Sequence, residues 1–116
     1  MKTSDLIGHA LSLAVAKCEG RDDVVLNLNG TLYSDVRMAF DYPTDWELGG
    51  PIIEREFIEL RPGSYTGKDR LWAAWSQNRR GDRSIGNTGP TPLIAAMRCY
   101  VASKLGDEVE IPEELK

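Results

Sequence analysis

Three carboxylates, Asp45, Glu54 and Glu56, fall close together near the middle of the chain. Paired acids at such spacing could divide the general-acid and general-base roles of a small hydrolase, or cage a magnesium ion. On a strand Glu54 and Glu56 would face the same side. No nucleophile, histidine or further acid is placed by sequence to complete the set, so exposed ion pairing with Arg55 or its neighbours is the stronger reading. No residue is assigned as catalytic. The glycines beside them invite a phosphate-loop reading, yet Gly49-Gly50-Pro51 lacks the GxxxxGK pattern, and the proline removes an amide that would donate to an anion. Asp45, Trp46, Gly49, Gly50, Pro51, Ile52 and Ile53 read instead as a structural motif. In it the glycines reverse the chain, Pro51 fixes the next φ, and the isoleucines anchor the turn to the core.

A second constellation joins aromatic and basic residues. Lys68, Arg70, Arg79, Arg80 and Arg83 surround Trp72 and Trp75 in sequence, the mixture that lets a surface hold phosphates while stacking bases. Residues 61 to 98 carry seven basic side chains against Asp69 and Asp82, a local charge of +5 in a chain whose net charge is −4. Single-stranded nucleic acid is therefore a candidate ligand. Against it, neighbouring positions of a strand point to opposite faces, and a tryptophan there more often fills a core. The tripeptide Arg80-Gly81-Asp82 is set aside as a chance match. His9, on the polar side of an N-terminal helix, reads as an exposed residue. Cys18 and Cys99 lack the close pairing of zinc ligands and read as buried thiols; no metal or cofactor is assigned.

These residues need elements to position them. Leu6, Ile7, Ala10, Leu11, Ala14, Val15 and Cys18 repeat at helical spacing, with Thr3 or Ser4 as cap and Gly20 as stop. Val24 to Leu28, Asn29-Gly30 and Thr31 to Tyr33 predict a hairpin, followed by a strand over Val36 to Phe40. Residues 41 to 51 read as loop, then comes a turn of helix and a strand over Phe57 to Arg61. Pro62-Gly63 predicts a turn, and Leu71 to Gln77 a returning strand. Residues 78 to 89, rich in glycine and arginine, read as an exposed loop. Thr91 caps a helix with Pro92 at its first position and Gly106 at its end, and it reads as amphipathic. Val109 and Ile111 suggest a short strand in the tail.

The sum is an α+β domain: an antiparallel sheet of four to five strands with an N-terminal and a C-terminal amphipathic helix packed on it. At 116 residues, 41% hydrophobic and 28% charged, the chain fits one domain, 1–116, able to bury its own core. Apolar runs are far too short to span a bilayer and no export signal is evident, which predicts a cytoplasmic protein.

Three stretches, TSDLIGHALSLAVAKCEG, TDWELGGPIIERE and GPTPLIAAMRCYVASKLGDEVEIPEEL, resemble the NinX-like family of bacteriophage and prophage proteins. They cover the N-terminal helix, the segment from Asp45-Trp46 to Glu56, and the chain from Gly89 onward. Residues 27 to 42 and 62 to 88 are less family-like. The resemblance implies a small phage accessory protein and carries over no activity, cofactor or catalytic residue. Together with the incomplete catalytic set it favours a non-enzymatic module that binds a host or phage protein. The basic, tryptophan-containing region 68–83 as a nucleic-acid site is the alternative, and a carboxylate-based hydrolase the third reading.

Overall fold

A computed structural model of the chain describes residues 1–20, 24–26, 32–34, 38–39, 41–66, 69–77 and 83–111, with side chains at 1–20, 41–63, 71–76 and 86–111. Three α-helices, α1 (Gly8–Cys18), α2 (Trp46–Arg55) and α3 (Pro92–Leu105), accompany a short 3-10 turn at Thr3–Asp5. The strands are β1 (Val24–Leu26), β2 (Leu32–Ser34), β3 (Met38–Ala39), β4 (Glu59–Thr66), β5 (Asp69–Gln77) and β6 (Arg83–Gly89). The α+β class expected from the sequence is present. The single sheet of four to five strands is not: among the described residues the strands form two antiparallel sheets of three, β1-β2-β3 and β4-β5-β6.

The helices are also arranged differently from the expectation of two amphipathic helices on one sheet. α3 lies across β4, β5 and β6, while α1 and α2 pack against α3 itself, and α1 also meets β2. α3 is thus a central helix. Leu93 to Met97 and Cys99 to Ala102 are all buried, so its apolar residues run around the axis instead of along one stripe. Its ends follow the sequence reading: Thr91 Oγ1 accepts the Ile94 N–H at 3.1 Å, Pro92 takes the first position, and Gly106 leaves with φ +88°.

At the other end Thr3 does not cap α1. Gly8, at φ +58°, breaks the helical run after the 3-10 turn. Thr3 is buried, and its hydroxyl donates to the Gly106 carbonyl at 2.6 Å while its N–H donates to Asp107 O at 2.8 Å. Among the described residues the tail forms no strand; a bridge between Lys2 and Glu108 ties it to the N-terminus, and Val109 and Ile111 join the core.

Two glycine-bearing segments read as turn or loop are strands. β4 continues through Pro62 and Gly63, where the register with β5 shifts between Pro62 and Tyr65. Two residues there oppose one, the signature of a bulge. Proline is tolerated because β4 is an edge strand in this sheet. β6 occupies most of the predicted 78–89 loop. It has few apolar side chains because its glycines lie under neighbours: a Cβ at Gly86 would strike the Trp75 ring, and one at Gly89 would sit 2.8 Å from Ala95 N.

Candidate functional site

Of the basic residues of the candidate nucleic-acid site, the described backbone places Arg70 and Arg83 at opposite ends of β5. Arg70 pairs with Tyr65 near the start of β5, and Arg83 pairs with Gln77 at its far end. Seven residues of strand separate the two ends, roughly 24 Å. Lys68, Arg79 and Arg80 lie outside the described residues. Trp72 is half-buried against the core, on the α3 side of the sheet with Ala74 and Ser76, whereas Trp75 takes the opposite parity and lies over Gly86. Arg61 is turned to Glu59 at 2.6 Å.

The carboxylates diverge as well. Asp45 caps α2, its Oδ1 accepting the Glu47 N–H at 2.9 Å. Glu54 is exposed nine residues along the helix, about 13 Å further on. Glu56 accepts from Arg55 Nε at 2.9 Å and pairs with Lys104 Nζ at 3.3 Å. Burial alone would raise the Glu56 pKa, but the hydrogen bonds from Arg55 and Lys104 hold it below the usual carboxylate range. Among the described residues no group of three or more His, Cys, Asp and Glu is placed to hold a metal ion. His9 is exposed, and Cys18 and Cys99 are free thiols.

The stretch GGPIIER is neither a phosphate loop nor a turn; it makes up α2 from Gly49 to its end. Gly49 serves close packing: a Cβ there would lie 2.5 Å from Leu93 Cδ1 and 3.0 Å from the Tyr42 carbonyl. Gly50 precedes Pro51, and the lack of a Cβ relieves the clash that bars most residues from helical geometry before proline. Ile52 is buried and Ile53 packs on the core, so the anchoring part of the expectation holds within a helix.

A polar clamp fixes the C-terminal end of α2. Arg55 donates to both Glu19 oxygens, at 3.1 and 2.7 Å, and to Tyr100 Oη at 3.1 Å. Tyr100 in turn donates to Glu19 Oε2 at 2.5 Å. Arg55 and Lys104 also lie over the Tyr100 ring, 5.7 and 5.9 Å from its centroid. Burial, reinforced by Glu19, pushes the Tyr100 pKa up, which removes it as a base near neutrality. A bidentate arginine that is half exposed contributes modestly; its effect is to join the C-terminal ends of α1 and α2 to α3. A second arginine, Arg98, ties α3 to its neighbours by donating to Leu6 O and Thr88 O, each at 2.8 Å.

Past the clamp, Phe57 stands 76% exposed with φ +52°. The Ile58 N–H bonds Ile53 O at 3.1 Å, and the Phe57 N–H reaches Glu54 O at 3.4 Å. This is a Schellman stop with phenylalanine where glycine is usual. At 100° per residue Trp46 and Gly50 fall about 40° apart on α2, with Glu47 and Glu54 close together to one side; Phe57 lies beyond the end of the helix, where left-handed backbone takes it off that period. Trp46 is 52% exposed, and Gly50 has open space where a side chain would be. Sequence reading missed Phe57, because only glycine or asparagine announces a left-handed stop.

The described residues define an α+β fold with a central buried helix, and they leave Trp46 on α2 and Phe57 just past its end exposed. The chain belongs to the bacteriophage P22 NinX family, whose family model matches residues 2–104. That match runs through residues 27–42 and 62–88, which the sequence resemblance left out, and so takes in both sheets. No curated protein matches the chain. No described helix is long and apolar enough to cross a membrane.

Proposed function

We propose that this phage protein is a non-enzymatic accessory module that works in the cytoplasm of the bacterial host, docking a host or phage protein on the outer face of α2. Phe57 carries the reading. A large aromatic held in left-handed backbone and left in water is unfavourable on both counts, and residues kept under such strain concentrate at sites of recognition. Trp46, exposed at the start of the helix that Phe57 follows, gives a second aromatic anchor of the kind that dominates interfaces. The clamp of Glu19, Arg55 and Tyr100 ties the end of the helix to α1 and α3, so the face is placed before a partner arrives.

Affinity capture from infected cells tests this with the full chain and its Trp46→Ser/Phe57→Ser variant. The wild type should recover one partner reproducibly and the variant lose it while remaining folded by circular dichroism. Equal recovery by both would sink the assignment of the face. The nucleic-acid reading, through Lys68, Arg70, Trp72, Trp75, Arg79, Arg80 and Arg83, draws support from the +5 local charge. It requires salt-sensitive quenching of tryptophan fluorescence by a single-stranded oligonucleotide. Absence of quenching at low salt would remove it.

A further inference from the structure

The α2 face has a charge pattern as well as an apolar one. Glu47 and Glu54 are exposed, and neither enters an ion pair among the described residues. Two described cations at the ends of α2 and α3 are already engaged, Arg55 by Glu19 and Glu56, and Lys104 by Glu56. Among the described residues the face thus carries two negative charges with no paired cation. Glu47 and Glu54 are seven residues apart, about 10 Å along the axis. Between the levels of the two aromatics Gly50 leaves the helix backbone bare, with nothing within 4 Å of where its Cβ would be. A bare backbone one turn from the exposed Trp46 lets a second helix approach closely, as small residues do wherever helices pack at short range.

We infer that the occupant of this face is a basic amphipathic helix of the partner protein, with Lys or Arg at i and i+7 to meet Glu47 and Glu54 and small or apolar residues between them to lie over Gly50. The inference rests on the reading of α2 as a docking face and adds the chemistry of what docks. Oppositely charged groups at the rim fix register and orientation, and the aromatic anchors supply most of the affinity.

Photo-crosslinking in phage-infected cells tests both levels separately. Phe57→p-benzoylphenylalanine keeps an aromatic at the position; the full chain is irradiated and the captured segment is sequenced by mass spectrometry. The expected adduct is a helical segment with basic residues seven apart, and Glu47→Gln/Glu54→Gln in the same chain should reduce the adduct yield about five-fold, the effect of two rim ion pairs. High salt in a lysate irradiated in parallel should reduce it similarly. An adduct on a neutral or acidic segment, or a yield unmoved by the double substitution, overturns the basic helix and leaves the docking face standing. An adduct to nucleic acid, or none from either Phe57 or Trp46 replaced in this way, overturns both.

Discussion

Phe57 is the position where local preference and the observed backbone disagree most. A residue with a Cβ at φ +52° carries a penalty of about 1–2 kcal/mol, and a side chain 76% exposed recovers little of it by burial. Glycine would keep both Schellman hydrogen bonds without the clash. Phe57→Gly should therefore raise the urea unfolding free energy by about 1 kcal/mol, the relief being trimmed by the extra freedom glycine gives the unfolded chain. The same substitution should abolish partner recovery. A loss of stability would mean that the ring packs in a way its exposure does not suggest. The sequence hid this residue for a physical reason. Gly20 and Gly106 were legible as stops because glycine is the usual occupant of left-handed backbone, whereas Glu56-Phe57-Ile58 has the composition of a strand entry. Thr91 and Pro92 were legible because cap and ring each satisfy a requirement of a helix start.

At the scale of elements, α2 is the test of how far residue types determine conformation. Gly49, Gly50 and Pro51 ordinarily punctuate a chain, yet here they lie inside a helix capped by Asp45. Two long-range facts override the local signal: Gly49 is pressed against Leu93 and Tyr42, and Ile52 is buried in the core. Neither can be seen in a window of neighbouring residues. β6 escaped for the same cause, since Gly86 and Gly89 are placed by Trp75 and α3 instead of by strand propensity. Substitution separates the two glycines. Gly49→Ala should destabilise by about 1–3 kcal/mol through overpacking against Leu93 and the Tyr42 carbonyl, more than Gly50→Ala, whose Cβ meets only the adjoining proline. Pro51→Ala should stabilise by about 1 kcal/mol or more, because it restores an amide to the helix interior at an exposed position. A tight turn would give the reverse order: Pro51→Ala would then loosen the chain and lower the unfolding midpoint in urea.

At the scale of the whole molecule, the central position of α3 makes its buried groups report on the entire fold. The sequence showed a helix from Thr91 to Gly106 and could not show that the sheet, α1 and α2 would all pack on it; its even apolar distribution is the trace of that burial. Cys99 is fully buried on this helix, and burial pushes its thiol from 9.0 to about 11, with hydrogen bonds from Ser76 offsetting part of the shift. Cys18 is pushed to about 11 as well, by burial first and then by Glu19, against the pull of Lys104. Tyr100 moves in the same direction, from burial and then Glu19. In the unfolded chain a thiol releases its proton near 9.0, while the folded protein retains it to about 11. The stabilisation is therefore intact below pH 9 and is lost as pH rises toward 11, by about 2–3 kcal/mol for Cys99 once the loss is complete. Chemical denaturation across that range should give a flat profile up to pH 9 and a steady decline above it. Cys99→Ala should shallow the decline, whereas an equal slope in that variant, or a flat wild-type profile through pH 11, would show that Cys99 does not hold its proton against the sheet.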